Sequence, residues 1–143
     1  MNSKNVRSHL RKDDIMSRNK PFTIIVSDLN HHIRDLLYRE LKEDGFNVTK
    51  AISGAEVCKS IASPHCADLI ILDPDLLSFH GISLLPEMNN NTNITIIVHT
   101  FERKQVSSFQ QENVYFVEKD GSSIVRIKEI AKACYVAKYA RSS

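Results

Sequence analysis

Three runs of consecutive apolar residues, rich in β-branched side chains, constrain this chain more than any other feature: Phe22-Thr23-Ile24-Ile25-Val26, Leu69-Ile70-Ile71-Leu72 and Ile94-Thr95-Ile96-Ile97-Val98. A strand with one wet face alternates apolar and polar residues. One that is apolar throughout is covered on both faces, as in a parallel sheet packed between helices. Two further segments, Phe46 to Ile52 and Val114 to Val117, read as strands of the same sheet.

The segments between them have helical spacing. Asn30 caps a helix whose Ile33, Leu36, Leu37 and Leu41 share a face, and Gly45 stops it. Ser53 caps a shorter one carrying Val57, Cys58 and Ile61, which ends near Pro64. Ile82, Leu84, Leu85 and Met88 suggest a third, with Pro86 tolerable in its first turn, and residues 102–111 a weakly amphipathic fourth. Ile127, Ile130, Ala131, Cys134 and Ala137 make the apolar stripe of the last, which runs to about Arg141. Five strands alternating with five helices through short loops require right-handed crossovers. The fold class is therefore α/β, a doubly wound five-stranded parallel sheet.

A chain of 143 residues suits one domain. Residues 1–20 lack periodicity and hold six Lys and Arg against two Asp, so a flexible basic tail is expected there, with the folded domain at 21–143. No apolar run approaches the roughly 20 residues of a membrane helix and no secretion signal is visible, which makes a cytoplasmic protein without membrane contact the expectation. Cys58, Cys66 and Cys134 have no metal-finger spacing, and reduced thiols are expected. A net charge of +2 is too small to point to direct nucleic-acid binding. Four glycines in the whole chain and no glycine-rich phosphate loop disfavour nucleotide or flavin binding. No arrangement supports hydrolysis, and a conventional enzyme is not expected.

Ligand sites in such sheets gather at the carboxyl ends of the strands, where the strand order switches. The expected strand ends here are Ser27-Asp28, Asp73, His99-Thr100 and Glu118-Lys119. Two carboxylates, a hydroxyl and an ammonium on one rim suit phosphoryl transfer to a carboxylate. One oxygen attacks, acids hold a divalent cation, and donors meet the phosphoryl oxygens. His31, His32, His80 and His99 also map to that rim, so a softer ion such as Zn²⁺ or Mn²⁺ is a second option. Tyr135 and Tyr139 are candidate exposed partner contacts on the last helix.

Residues 22–140 resemble a response-regulator receiver domain, a (βα)5 flavodoxin-like fold of two-component signalling. The resemblance rests on Ile70-Ile71-Leu72-Asp73-Pro74-Asp75-Leu76-Leu77-Ser78-Phe79-His80-Gly81, on Val114-Tyr115-Phe116-Val117-Glu118-Lys119, and on the order of Asp28, Asp73, Thr100 and Lys119. It implies that Asp73 accepts phosphate from a histidine kinase or phosphotransfer protein in a phosphorelay. Asp28 and Asp73 would hold Mg²⁺, while Lys119 and Thr100 contact the phosphate. Thr100 and Phe116 would form the switch, although a one-residue slip exchanges Thr100 with His99. Output would run to a downstream protein through strand five and the fourth and fifth helices, from a monomer or weak homodimer.

Four departures accompany the resemblance. Ser27 replaces the first of two adjacent acids, which lowers the expected Mg²⁺ affinity. Leu77 and Asp120 replace prolines, and Phe101 replaces a small residue and crowds phosphate access. Asp75 could compensate as a further metal ligand. These departures keep open a pseudo-receiver, a phosphorylation-independent protein interaction module on the same fold.

Overall fold

The computed structural model describes residues 21–63, 67–77, 94–101 and 113–142. The strands are β1 (Thr23–Ser27), β2 (Asn47–Ala51), β3 (Leu69–Leu72), β4 (Thr95–Thr100) and β5 (Val114–Glu118). Among the described residues, the helices are α1 (His31–Glu43), α2 (Gly54–Ala62) and α3 (Ser123–Ser142), with a 3-10 turn at Pro74–Leu77. The helices expected at Ile82 to Met88 and at 102–111, the basic tail, Cys66 and His80 lie outside the described residues.

All strand pairs are parallel, and the sheet runs β2-β1-β3-β4-β5. The chain therefore winds one way from β1 to β2 and the other way from β3 onward, so the order switches between β1 and β3. Side-chain alternation sorts each strand onto two faces. Ile24, Val26, Leu69, Ile71, Ile97 and Val117 meet Leu37 and Leu41 of α1 and Ile127, Ala131 and Tyr135 of α3. Ile25, Ile70, Leu72, Ile96 and Val98 meet Val57 and Ile61 of α2 and Leu77 of the 3-10 turn. Each fully buried Leu or Ile contributes roughly 1.5–3 kcal/mol through removal of its surface from water.

The local signals work as their chemistry requires. The Asn30 side chain accepts from the His32 and Ile33 N–H groups and starts α1, and Ser53 accepts from Glu56 N–H to start α2. Gly45 adopts φ 100°, a left-handed conformation suited to glycine, and its N–H donates to the Lys42 carbonyl (3.0 Å) to close α1. β2 is shorter than the expected 46–52: Phe46 is drawn into the core before the strand begins, and Ile52 lies exposed beyond it.

Tyr135 corrects a second expectation, because it is 2% exposed. Its ring packs on Phe22 and Phe46, at centroid distances of 5.9 and 6.3 Å, and on Tyr139 at 4.6 Å. The stripe of α3 is Ile127, Ala131, Tyr135, at an i, i+4 interval, whereas Ala137 faces outward.

Candidate functional site

β1, β3 and β5 deliver three charged side chains to one point at the carboxyl rim. Asp28 directly follows β1 and Asp73 directly follows β3, on neighbouring strands, and both are buried. Lys119 follows β5, where its backbone N–H donates to the Thr100 carbonyl (2.9 Å). Its side chain is only 6% exposed, and its Nζ lies 2.9 Å from Asp28 Oδ2 and 3.2 Å from Asp73 Oδ2. A surface lysine would stay in water; this one lies between two carboxylates.

Backbone amides hold the carboxylates from the other side. Asp73 Oδ2 accepts the Leu29 N–H (2.8 Å) and its Oδ1 accepts the Asp75 N–H (3.0 Å). Asp28 Oδ1 accepts the Asn30 N–H (2.9 Å), and the Arg34 guanidinium donates to the Asp28 carbonyl (3.1 Å). Burial pushes the Asp28 carboxyl above its ordinary range, against the opposing pull of Lys119 and the Asn30 N–H.

β4 sends its last two residues to opposite faces. His99 lies two residues beyond Ile97, on the α1 and α3 face, and its Nδ1 is 3.9 Å from Asp28 Oδ2. Thr100 follows Val98 on the other face, where Phe116, the β5 partner of Val98, packs against the second cluster. Burial, aided by Lys119, holds the His99 imidazole down at about 4, so it is neutral at ordinary pH.

Each departure has a local role. Ser27 Oγ donates to the Ile71 carbonyl (2.7 Å) inside the sheet. Leu77 is buried in the second cluster. Asp120 opens α3: its carboxylate accepts from Ser122 N–H (2.8 Å) and Arg126 Nη2 (2.8 Å), which lowers its pKa, with the Ser122 bonds the largest cause. The exposed Phe101 ring lies 5.1 Å from Lys119 Nζ in a cation–π contact. With Leu29 and Ile33 it walls an open cavity of about 190 Å³ floored by Asp28, Asp73 and Lys119, and Asp75 stands exposed on its lining.

The donor set has the chemistry of a weak hard-cation site. Two buried carboxylates and one ammonium leave a surplus of one negative charge, and Mg²⁺ commonly takes only one or two carboxylates, filling its shell with water and phosphate oxygens. Among the described residues no three His, Cys, Asp or Glu side chains form a metal cluster. His31 and His32 are exposed and stack on one another at 3.9 Å, away from any convergence with His99. The importance of His99 was legible only as a position at a strand end; its contact with Asp28 needed the strand's face to be known.

A family profile for the response regulator receiver domain matches residues 24–131. The chain belongs to that family. Receiver-domain structures share its fold: a response regulator receiver protein from Sinorhizobium medicae is 18% identical, with a TM-score of 0.66, over 82% of this chain and 98% of that one. TrrA from Thermotoga maritima, solved in complex with Mg²⁺-BeF, is 28% identical, with a TM-score of 0.61, over 79% and 98%. The structure of histidine kinase ThkA in complex with TrrA matches at 25% identity and a TM-score of 0.59, over 77% and 97%. A chain described as adenylate cyclase from Rhodopirellula baltica has the same fold at 19% identity and a TM-score of 0.64, over 86% and 96%. No curated protein matches by sequence. Among the described residues, no helix of this receiver domain is long and apolar enough to cross a membrane.

Proposed function

We propose that this receiver domain accepts a phosphoryl group on Asp73 from the phosphohistidine of a histidine kinase or phosphotransfer protein. The observation that carries the reading is Lys119, a buried ammonium within 3.2 Å of both Asp28 and Asp73. An Asp73 carboxylate oxygen forms the new bond to phosphorus as the bond from phosphorus to the imidazole nitrogen breaks, and the departing imidazole keeps that electron pair. Lys119 compensates the charge gathering on the phosphoryl oxygens. Thr100 donates a hydroxyl from the end of β4, and Phe116 on the same face adjusts to it.

Asp28 and Asp73, helped by Asp75, are the residues to hold Mg²⁺, which supplies positive charge against the repulsion between carboxylate and donor. TrrA, solved with Mg²⁺-BeF and in complex with ThkA, supports both the ion and the partner class. Output runs through β5 and the helices beside it to a protein partner, and the site works in the cytoplasm, with chemistry limited to self-phosphorylation from a donor.

The second reading is a pseudo-receiver that binds its partner without phosphorylation. It is favoured by the Ser27 hydroxyl, committed to Ile71, and by Phe101 over Lys119. Incubation of the chain with Mg²⁺ and acetyl phosphate, read by intact mass, separates the two. A gain of one phosphoryl group that disappears in Asp73→Asn is the expected result. No adduct in the parent at millimolar donor would support the pseudo-receiver.

A further inference from the structure

His99 is 1% exposed, and neither ring nitrogen has a hydrogen-bond partner among the described residues. An unpaired buried polar group destabilises the fold, whereas an aliphatic side chain at the same place would carry no such penalty. Strand alternation explains why the ring points inward after Ile97 but not why an imidazole stands there.

The polar groups around it suggest a reason. Asp28 Oδ1 is held by the Asn30 N–H (2.9 Å), while Oδ2 faces Lys119 Nζ at 2.9 Å and His99 Nδ1 at 3.9 Å. Lys119 is shared, since it also reaches Asp73 Oδ2 at 3.2 Å. One ammonium cannot hold Asp28 closely and also turn fully to a phosphoryl group on Asp73.

We propose that His99 is a positioning residue for Asp28, donating its Nδ1–H to Asp28 Oδ2 when Lys119 swings toward a phosphoryl group on Asp73. The proposal rests on the reading of Asp73 as the acceptor. Nδ1 keeps its proton throughout, and a small ring rotation closes the gap to the roughly 3 Å of a hydrogen bond. Asp28 thereby keeps its orientation as a cation ligand at the moment its lysine partner is diverted.

The test compares the full chain with His99→Leu and His99→Asn, using Mg²⁺ with beryllofluoride as the probe. His99→Leu is expected to raise the urea midpoint, because the unpaired polar group is gone, and to weaken beryllofluoride binding about tenfold or more, as loss of a hydrogen bond to a charged group does. His99→Asn, with an amide nitrogen near the place of Nδ1, recovers most of that affinity, and the effect of His99→Leu vanishes when Asp28 is already Asn. In the parent, the Nδ1–H resonance of His99 shifts on addition of the probe. A role in packing alone would move stability and affinity down together. If His99→Leu binds the probe like the parent while Asp73→Asn abolishes binding, the proposal is wrong and the acceptor reading stands. If the parent itself binds no probe, both are overturned.

Discussion

Ser27 shows how one side chain resets the chemistry of its neighbours. Its hydroxyl serves the Ile71 carbonyl, so the floor of the cavity carries two buried carboxylates instead of three. Ser27→Asp is expected to raise Mg²⁺ affinity by about tenfold or more. It should also lower metal-free stability by roughly 1–3 kcal/mol, through the lost hydrogen bond and a third buried charge beside Asp28 and Asp73. Magnesium titration and urea unfolding read the two effects separately. His99 makes stability depend on pH. Its imidazole titrates near 4 when folded, against about 6.5 in a free chain, so between these values the unfolded state binds a proton that the folded state refuses. Stability present above pH 6.5 is therefore lost as pH falls toward 4, by about 3 kcal/mol in all. Asp28, raised by burial, acts in the opposite sense at the acid end, where the folded state takes up its proton first. Urea midpoints from pH 8 to 4 should fall more steeply for the parent than for His99→Leu; parallel curves would contradict the assignment.

At the scale of elements, the turn after Asp73 is braced by the start of α2. A Cβ placed on Gly54 would meet the Leu76 carbonyl oxygen at 2.5 Å, a backbone atom that can yield only if the turn moves. That turn carries the Asp75 N–H bonded to Asp73. Gly54→Ala is therefore expected to shift the Asp75 amide resonance and weaken beryllofluoride binding several-fold, while Gly121→Ala, with nothing within 4 Å of its added methyl, changes neither. The strands and caps were legible in advance because their causes are local: β-branched runs for β1, β3 and β4, side-chain oxygens at Asn30 and Ser53, and a left-handed Gly45. Tyr135 was not, because a tyrosine's burial depends on whether Phe22 and Phe46, nearly ninety or more residues away in sequence, come to meet it. The charged rim was readable as a set of strand ends. The ion pairs of Lys119 and the inward ring of His99 required the strand order and the faces to be known.

Across the whole molecule, the two ends of the sheet divide the work. The amino-terminal end is closed by Phe22, Phe46, Tyr135 and Tyr139, with Lys138 paired to Asp68, whose other oxygen accepts the Thr23 N–H (2.8 Å). Tyr135→Ala is expected to cost about 3–5 kcal/mol, as other aromatic truncations in cores do, and to leave the beryllofluoride affinity of the folded protein unchanged. Thermal unfolding and a titration below the transition measure both. The opposite end is tied together by Asp73 itself, whose two oxygens draw in the Leu29 and Asp75 amides from separate loops. Phosphorylating that carboxylate would shift the negative charge from its own oxygens onto the phosphoryl group and weaken both tethers together. The Leu29 and Asp75 amides would then exchange with solvent faster as a pair, so a message from this rim would begin with two loops let go as well as with a phosphate gained.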